Sequence, residues 1–186
     1  NKSTAEKNKR AYWRVTYPGF FTTRDGDLIV KWRIGGHMNA HMYLTKYDGE
    51  QWGEAFQWNR TVGEHTTGYY GSFRIFNDQM YSCWHRRTPQ DQEAGWEINR
   101  GLYLAHCADR SGITNWYSVD GAEYVLPLLD LEPFKVGEPS EPGQRISTGP
   151  SFVVTASGAF HAATTVSREA KHFFRTSTAD TLTVET

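Results

Sequence analysis

The sequence predicts an all-β chain of about three consecutive four-stranded antiparallel sheets, the blades of a β-propeller. Three observations predict it. Helical periodicity is nearly absent. Short β-branched and aromatic runs recur instead, separated by tight-turn dipeptides. The order strand, tight turn, strand, longer loop, strand, turn, strand then occurs three times, an internal repeat of one antiparallel unit. A β-sandwich also gives many short strands, but it does not require the same turn grammar in each unit.

Residues 1–14 read as an N-terminal extension or linker, polar and basic at its start, without the apolar core of a signal peptide. The partial propeller spans 15–186. The first blade covers about 15–60, with strands at Thr16–Phe21, Asp27–Arg33 and Ala40–Tyr47 and a weaker one around Ala55–Trp58. Asp25-Gly26 and Asp48-Gly49 punctuate it as hairpin turns prefer. The second blade covers about 65–130, with strands at Tyr69–Phe76, Gln79–Arg86, Gly101–Ala108 and Glu123–Leu126, and Asn77-Asp78 as its first turn. A Pro-rich connector, Pro133 to Pro142, leads to the third blade at about 145–186. Its strands are expected at Ile146–Thr155, Ala159–Thr165, Lys171–Thr176 and Thr181–Glu185, with Ser157-Gly158 as its turn. Trp52 follows Asp48-Gly49 by three residues, and Asp109-Arg110-Ser111-Gly112-Ile113-Thr114-Asn115-Trp116 repeats the idea as a degenerate Asp-box. Three blades cannot close a ring, because the end blades keep unpaired edges that soluble proteins avoid. The remaining blades are therefore expected from an absent segment, most simply an N-terminal one.

The formal net charge of −1 argues against a nucleic-acid partner. No apolar run approaches the roughly 20 residues of a membrane helix. Aromatic residues make up 15% of the chain; they suit strands, and flat rings also stack on sugars. Two cysteines, Cys83 and Cys107, leave three readings: one bridge, two buried thiols, or metal ligands.

In a blade, the start of the innermost strand and the end of the next one open on the same rim. That rim collects Tyr17, then Arg33, His37, Asn39 and His41 from the first blade. From the second it collects His65, Tyr69, Tyr70, His85, Arg86, Arg87, Asn99 and Arg100. Each residue alone reads as a solvated side chain. Together they differ from the opposite turns, which carry Asp, Asn, Gly and Ser. A rim of Arg, His and Tyr suits an acidic, hydroxyl-rich ligand, since guanidinium groups pair with carboxylate or sulfate in a bidentate fork.

Tyr69-Tyr70-Gly71-Ser72-Phe73, Tyr81-Ser82-Cys83-Trp84-His85-Arg86-Arg87-Thr88-Pro89 and Gly101-Leu102-Tyr103-Leu104-Ala105-His106 resemble the BNR-4 family of propellers. Thr16-Tyr17-Pro18-Gly19-Phe20-Phe21, Asp25-Gly26-Asp27-Leu28, Arg33-Ile34-Gly35-Gly36 and Tyr43-Leu44-Thr45-Lys46-Tyr47-Asp48 look like the preceding blade. The likeness covers roughly residues 15 to 130. It implies a seven-bladed propeller when complete, a secreted or periplasmic protein, and an activity like that of the family's ulvan lyases. Those enzymes cleave a sulfated algal polysaccharide at uronic acid residues by β-elimination. A cation must offset the uronate carboxylate before the C5 proton can leave, and an acid must protonate O4. The resemblance assigns the first role to Arg86 or Arg87. Proton exchange falls to Tyr69 or Tyr70, with a tyrosine serving as base if cations lower its pKa. Alternation along a strand leaves each doublet open. Tyr17, Arg33, His37, Asn39, His65, His85, Asn99 and Arg100 are the expected substrate contacts. The family's further catalytic histidine is expected in an earlier blade. The chain departs from the family in having Asn99-Arg100 where Asn-His is common. A structural zinc or calcium ion, held by Cys83, His85 and Cys107, is the metal reading, lacking a fourth ligand and standard zinc spacing; no organic cofactor is implied.

The partners expected are an acidic polysaccharide and the missing propeller segment, with neither nucleic acid nor membrane. The function expected is a polysaccharide lyase acting on a uronate-containing, sulfated glycan. Its alternatives are a glycoside hydrolase of α-L-rhamnosidase type and a non-catalytic glycan-binding propeller, since a fold alone does not decide function.

Overall fold

Alternating inward and outward side chains sort the chain into three antiparallel sheets. The structure, a computed structural model, describes residues 15–23, 25–35, 40–60, 67–88, 98–141, 143–176 and 182–185, with Thr67, Tyr70, Thr88 and Ile98 described by backbone alone. The first sheet has the order β1 (Val15–Thr22), β2 (Leu28–Ile34), β3 (His41–Tyr47) and β4 (Phe56–Gln57). The second runs β5 (Thr67–Phe76), β6 (Gln79–Thr88), β7 (Ile98–Cys107), β8 (Trp116–Tyr117) and β9 (Glu123–Tyr124), and β10 (Lys135–Gly137) also pairs with β7. The third runs β11 (Ser151–Val154), β12 (Phe160–Val166), β13 (Glu169–Arg175) and β14 (Thr183–Glu185). Among the described residues the sole helical element is one 3₁₀ turn, Glu132–Phe134.

Turn chemistry fixes the hairpins. Asn77 and Asp78 have φ of 50° and 61°, the left-handed pair of a type I′ turn. Ser167 and Arg168 make the same turn between β12 and β13, with φ of 49° and 74°, although neither residue signals it. The Asp48 carboxylate accepts the backbone N–H groups of Glu50 and Gln51 at 2.9 Å each, which folds the chain between β3 and β4.

The fourth position of the second blade departs from expectation. The run at Glu123–Leu126 yields only β9, which pairs with β8 and not with β7. The free edge of β7 is shared by β8 at its end and β10 near its middle. The Asp109 turn is the cause. It returns the chain against β7 at once, and Trp116 plugs into the core. Asp109 Oδ1 accepts from the N–H groups of Ser111 at 2.6 Å and Gly112 at 3.0 Å, and Thr114 Oγ1 donates to Oδ2. Trp116 Nε1 donates to Gly112 O at 3.0 Å. The Asp-box is thus a folded structural turn.

Each blade interface has its own core. Between blades one and two, Ile29, Met42, Leu44 and Trp58 meet Phe73, Met80, Trp84 and Trp116. Trp58 is its centre, with ring centroids 5.0 Å from Phe73, 5.0 Å from Trp84 and 5.3 Å from Trp116, all edge to face. Such pairs add about 0.5–1.5 kcal/mol each beyond area burial. Between blades two and three, Cys83, Leu102 and Leu104 meet Phe152, Phe160 and Val166. Side chains on the turns stitch the far rim: Arg110 pairs with Asp25, and Asn77 Nδ2 donates to Thr155 O at 3.1 Å.

Candidate functional site

Two β-bulges build the site. In blade one, Thr16 pairs with Arg33 and Gly19 with Lys31, so three steps of β1 oppose two of β2. In blade two, Tyr69 pairs with His85 and Ser72 with Cys83, the same offset at the same place. One extra residue in each inner strand bends it and re-aims its side chains. Tyr17 sits inside the first bulge with φ of 53°, an uncommon conformation for a bulky residue that costs on the order of 1–3 kcal/mol. Tyr69 begins the second. Their hydroxyls lie 2.8 Å apart, and the rings meet edge to face with centroids at 5.7 Å.

Two cations flank this pair. The Arg87 guanidinium carbon lies 3.6 Å from the centre of the Tyr69 ring, and that of Arg33 lies 4.7 Å away. Asn99 orients Arg87: its Oδ1 accepts from Arg87 Nε at 2.9 Å, while its Nδ2 donates to Ile146 O at 3.0 Å. The Asn99 side chain is itself buried, so it acts as a brace for Arg87 rather than as a surface contact. Tyr69 is 6% exposed and Tyr17 41%, so Tyr17 is the open end of the pair.

Electrostatics here run against one expectation. Burial pushes the Tyr69 phenol above its usual pKa, and the hydrogen bond with Tyr17 adds to this. Arg87 and Arg33 pull the other way without winning. As found, Tyr69 is a protonated phenol. The condition set for a tyrosine base, a pKa lowered by neighbouring cations, is not met at Tyr69, because desolvation outweighs them. Burial also lowers the His41 pKa, reinforced by Arg60 and Arg33.

The arginine doublet divides between the two sheet faces. Arg87 joins Tyr69, whereas Arg86 turns to Glu132, which also accepts from Tyr103 Oη at 3.4 Å. Consecutive residues of β6 take opposite faces, and a bulge at Gly101 in β7 sets which partner each arginine meets, Arg100 opposite Arg86 and Asn99 opposite Arg87. Trp84 pairs with Tyr103 and Arg86 with Arg100, so β7 carries the extra residue. Gly101 has φ of 66°, and a Cβ there would lie 2.4 Å from Tyr103 Cε2, so only glycine fits. Tyr70 lies within the bulge of β5, described by backbone alone. His37, Asn39 and His65 lie outside the described residues.

His85 corrects the rim reading. It is fully buried, with Nδ1 2.6 Å from Gly101 O and Nε2 3.3 Å from Thr164 Oγ1. Burial lowers its pKa to about 4, opposed by the Gly101 carbonyl and Glu138, so the ring is neutral and ties blade two to blade three. Arg100 is half-buried on β7 opposite Arg86.

The metal reading fails the same test of placement. Cys83 packs toward blade three, while Cys107 lies on the other face of the sheet, in the cluster with Met80 and Trp84. Both thiols are free and buried, and burial raises the pKa of each. Cys107 Sγ lies 3.1 Å from Thr114 Oγ1. The ring nitrogens of His85 are already engaged. Cys83, His85 and Cys107 therefore do not fit a zinc or calcium site, and among the described residues no group of three or more His, Cys, Asp or Glu side chains could hold a metal ion.

Sequence reasoning missed Glu132, Thr164 and Lys31. The first two carry no local signal. Lys31 does: it interrupts an inward-facing series, Ile29-Lys31-Arg33, that would otherwise begin a core strand.

Comparison with known proteins agrees with this architecture. The chain is 28% identical over 142 residues to the short isoform of the ulvan lyase of Alteromonas sp. (strain LOR), covering 73% of this chain and 27% of that protein. It is 28% identical over 141 residues to the long isoform from Pseudoalteromonas sp. (strain PLSV), covering 72% of this chain and 14% of that one. The chain thus spans about a quarter or less of these relatives' length. The crystal structure of polysaccharide lyase Uly1 superposes with a TM-score of 0.77 at 21% identity, over 92% of this chain and 40% of that one. A PL25 ulvan lyase structure superposes with a TM-score of 0.70 at 14% identity, over 91% and 43%. Residues 1–183 match the BNR_4 model, described as a BNR repeat-containing family member, and the chain belongs to that family.

Proposed function

We propose that this chain carries part of the active site of a polysaccharide lyase that cleaves a uronate-containing, sulfated glycan such as ulvan by β-elimination. The observation that carries the reading is the Tyr17–Tyr69 hydroxyl pair set beside the guanidinium of Arg87. The ulvan lyase relatives support the same class of reaction.

The chemistry follows from what these groups can do. Arg87, braced by Asn99, meets the uronate carboxylate and makes the C5 proton acidic enough to leave. As the C5–H electrons form the C4–C5 double bond, the C4–O4 bond breaks and O4 departs with a proton. The tyrosine pair exchanges protons with the sugar, Tyr17 at the open end and Tyr69 between the two guanidinium groups. Because Tyr69 is protonated as found, a base role requires its ionisation. Turnover is then expected to rise from neutral into alkaline pH.

Further blades complete the protein in this reading. Phe20 at 65% exposure and Trp52 at 46% pack together on the outer face of blade one, an aromatic surface suited to a preceding sheet. The relatives, several times longer than this chain, supply the precedent. Secretion is proposed with it, since the polysaccharide is extracellular material. A hydrolase would need a pair of free carboxylates about the scissile bond. Glu132 and Glu138, at this end of blade two, are committed to Arg86 and Tyr103, and to the Gly101 amide, Ser140 and Lys135.

An absorbance assay on ulvan with the intact protein tests the proposal. A lyase generates a conjugated C4–C5 double bond that absorbs in the ultraviolet. New reducing ends without that absorbance indicate hydrolysis, and retention of polymer without cleavage indicates a binding module. Tyr69→Phe should abolish most turnover while leaving substrate binding intact. Full activity of that variant would end the proton-exchange role.

A further inference from the structure

We propose that Lys31 is a positioning residue for the tyrosine pair, a strut that fixes both bulges at once. The proposal rests on the reading of Tyr17 and Tyr69 as the proton-exchanging pair. It concerns how the two hydroxyls are brought together across 52 residues of sequence.

Lys31 lies on β2 two residues before Arg33, on the face turned to blade two. Its stem runs across Gly19, the residue that closes the bulge of β1. A Cβ at Gly19 would lie 2.9 Å from Lys31 Cε and 3.7 Å from Cγ, so the glycine makes room for the passing chain. The ammonium then crosses the interface and donates to Gly71 O at 2.9 Å. Gly71 belongs to the extra segment of the β5 bulge, directly before Ser72, where regular pairing resumes. A bulge takes a residue out of the ladder, and the carbonyl so released needs another donor. Lys31 supplies it from the neighbouring blade. Gly71 lets Met42 approach closely: a Cβ there would lie 2.9 Å from Met42 Sδ, so a side chain would have to displace it.

The surroundings of Lys31 are those of a strut. Burial first, and then the like charge of Arg74, together lower its pKa to about 8. Its ammonium is held by a backbone carbonyl, that of Gly71. A half-buried ammonium beside an arginine is costly unless its hydrogen bond is needed. The need here is geometric: the bulges carry Tyr17 and Tyr69, and one side chain passes over the residue that closes the first and bonds a residue inside the second.

The test uses two variants of the intact protein. Lys31→Met keeps the stem over Gly19 and removes the donor. Its kcat should fall on the order of 10–100-fold, since small misplacements of reacting groups cost that much, while KM stays within about twofold because Lys31 is not a substrate contact. Lys31→Arg, which restores a donor, should recover most of the loss. A second readout stands apart from lyase activity. With tyrosines labelled at Cζ, the Tyr17 and Tyr69 resonances should both move in Lys31→Met while those of Tyr43 and Tyr117 stay. Movement of the two resonances in a protein inactive on every uronate polymer would end the lyase reading and keep the strut. Unchanged kcat with unmoved resonances overturns the strut, as does a loss shared equally by KM and melting temperature. Where Lys31→Met does not fold, Lys31→Gln, too short to bridge to Gly71, is read by the same criteria.

Discussion

The inner strands of the three blades share an irregularity at the same end and differ in what it carries. In blades one and two the strand gains one residue there, and the residues gathered are Tyr17 and Tyr69. In blade three Ile146 pairs with Val166 and Ser151 with Ala163, so five steps of the inner strand face three of β12. The inserted stretch is Thr148-Gly149-Pro150. Thr148 O accepts from Thr164 Oγ1 at 3.1 Å, and Thr164 in turn meets His85. The repeat sets where the backbone departs from regular pairing, and the residues in the departure decide what that place gathers: two tyrosine hydroxyls in blades one and two, a packing contact in blade three.

The interfaces differ in parallel, and the largest effect should break that contrast. The first is built on Trp58 and three aromatic partners, the second on smaller side chains. Trp58→Ala should cost on the order of 3–5 kcal/mol, the range for truncating a buried Trp. Leu104→Ala in the second interface should cost about 2–5 kcal/mol, toward the low end where neighbours can close in. Urea unfolding of both variants checks the order; equal losses would show that aromatic packing does not set the strength of the first interface.

Next comes the charge beside Tyr69. Arg87→Ala should lower turnover on the order of 10²–10³-fold, as loss of a preorganised charge contact does, and Arg87→Lys should keep part of it. Arg86→Ala, facing Glu132, should leave turnover within a few fold. If the two alanine variants lose activity equally, the division of the doublet between the two faces of β6 carries no functional meaning.

That division marks how far the sequence can be read. The three repeats, the Asn77-Asp78 turn and the rim bearing Tyr17, Arg33, Tyr69 and Arg87 follow from periodicity and turn residues. The choice within Tyr69/Tyr70 and Arg86/Arg87 does not, because a one-residue change of register, or one bulge residue, reverses which face a side chain takes, and neither leaves much trace in composition. Gly71 and Gly101 are the visible marks of the bulges. Burial is the second thing hidden. His85 and Asn99 look like rim residues by position, yet contacts to Gly101, Thr164 and Ile146 draw them inside. Cys83 and Cys107 lie close in topology and on opposite faces in space, which spacing alone cannot show.

His85 also sets a pH dependence peculiar to the second interface. Its folded pKa of about 4 lies below the usual 6.5, so between these values the unfolded chain binds more protons. Stability is full above pH 6.5 and is lost as pH falls toward 4, by roughly 3 kcal/mol for a change of that size. His85→Gln should be less stable at pH 7 and nearly flat across the same window. A wild-type profile as flat as the variant's would mean that His85 is not held neutral between the blades.

The smallest effect belongs to the far rim, where the Asp109 turn packs Trp116 and touches nothing at the tyrosine site. Asp109→Asn keeps an oxygen for the N–H groups of Ser111 and Gly112 but removes the charge that strengthens those bonds. Burial works against that charge, yet the bonds from Ser111 and Thr114 hold the carboxyl below its usual pKa, so the ionised form is the one the turn stabilises. Its loss should cost about 1 kcal/mol, a melting shift of roughly 2–4 °C for a domain of this size, with kcat and KM on ulvan unchanged. A fall in kcat beyond that shift would mean that the two rims are coupled through the sheet, and the separation of packing rim from reacting rim would have to be given up.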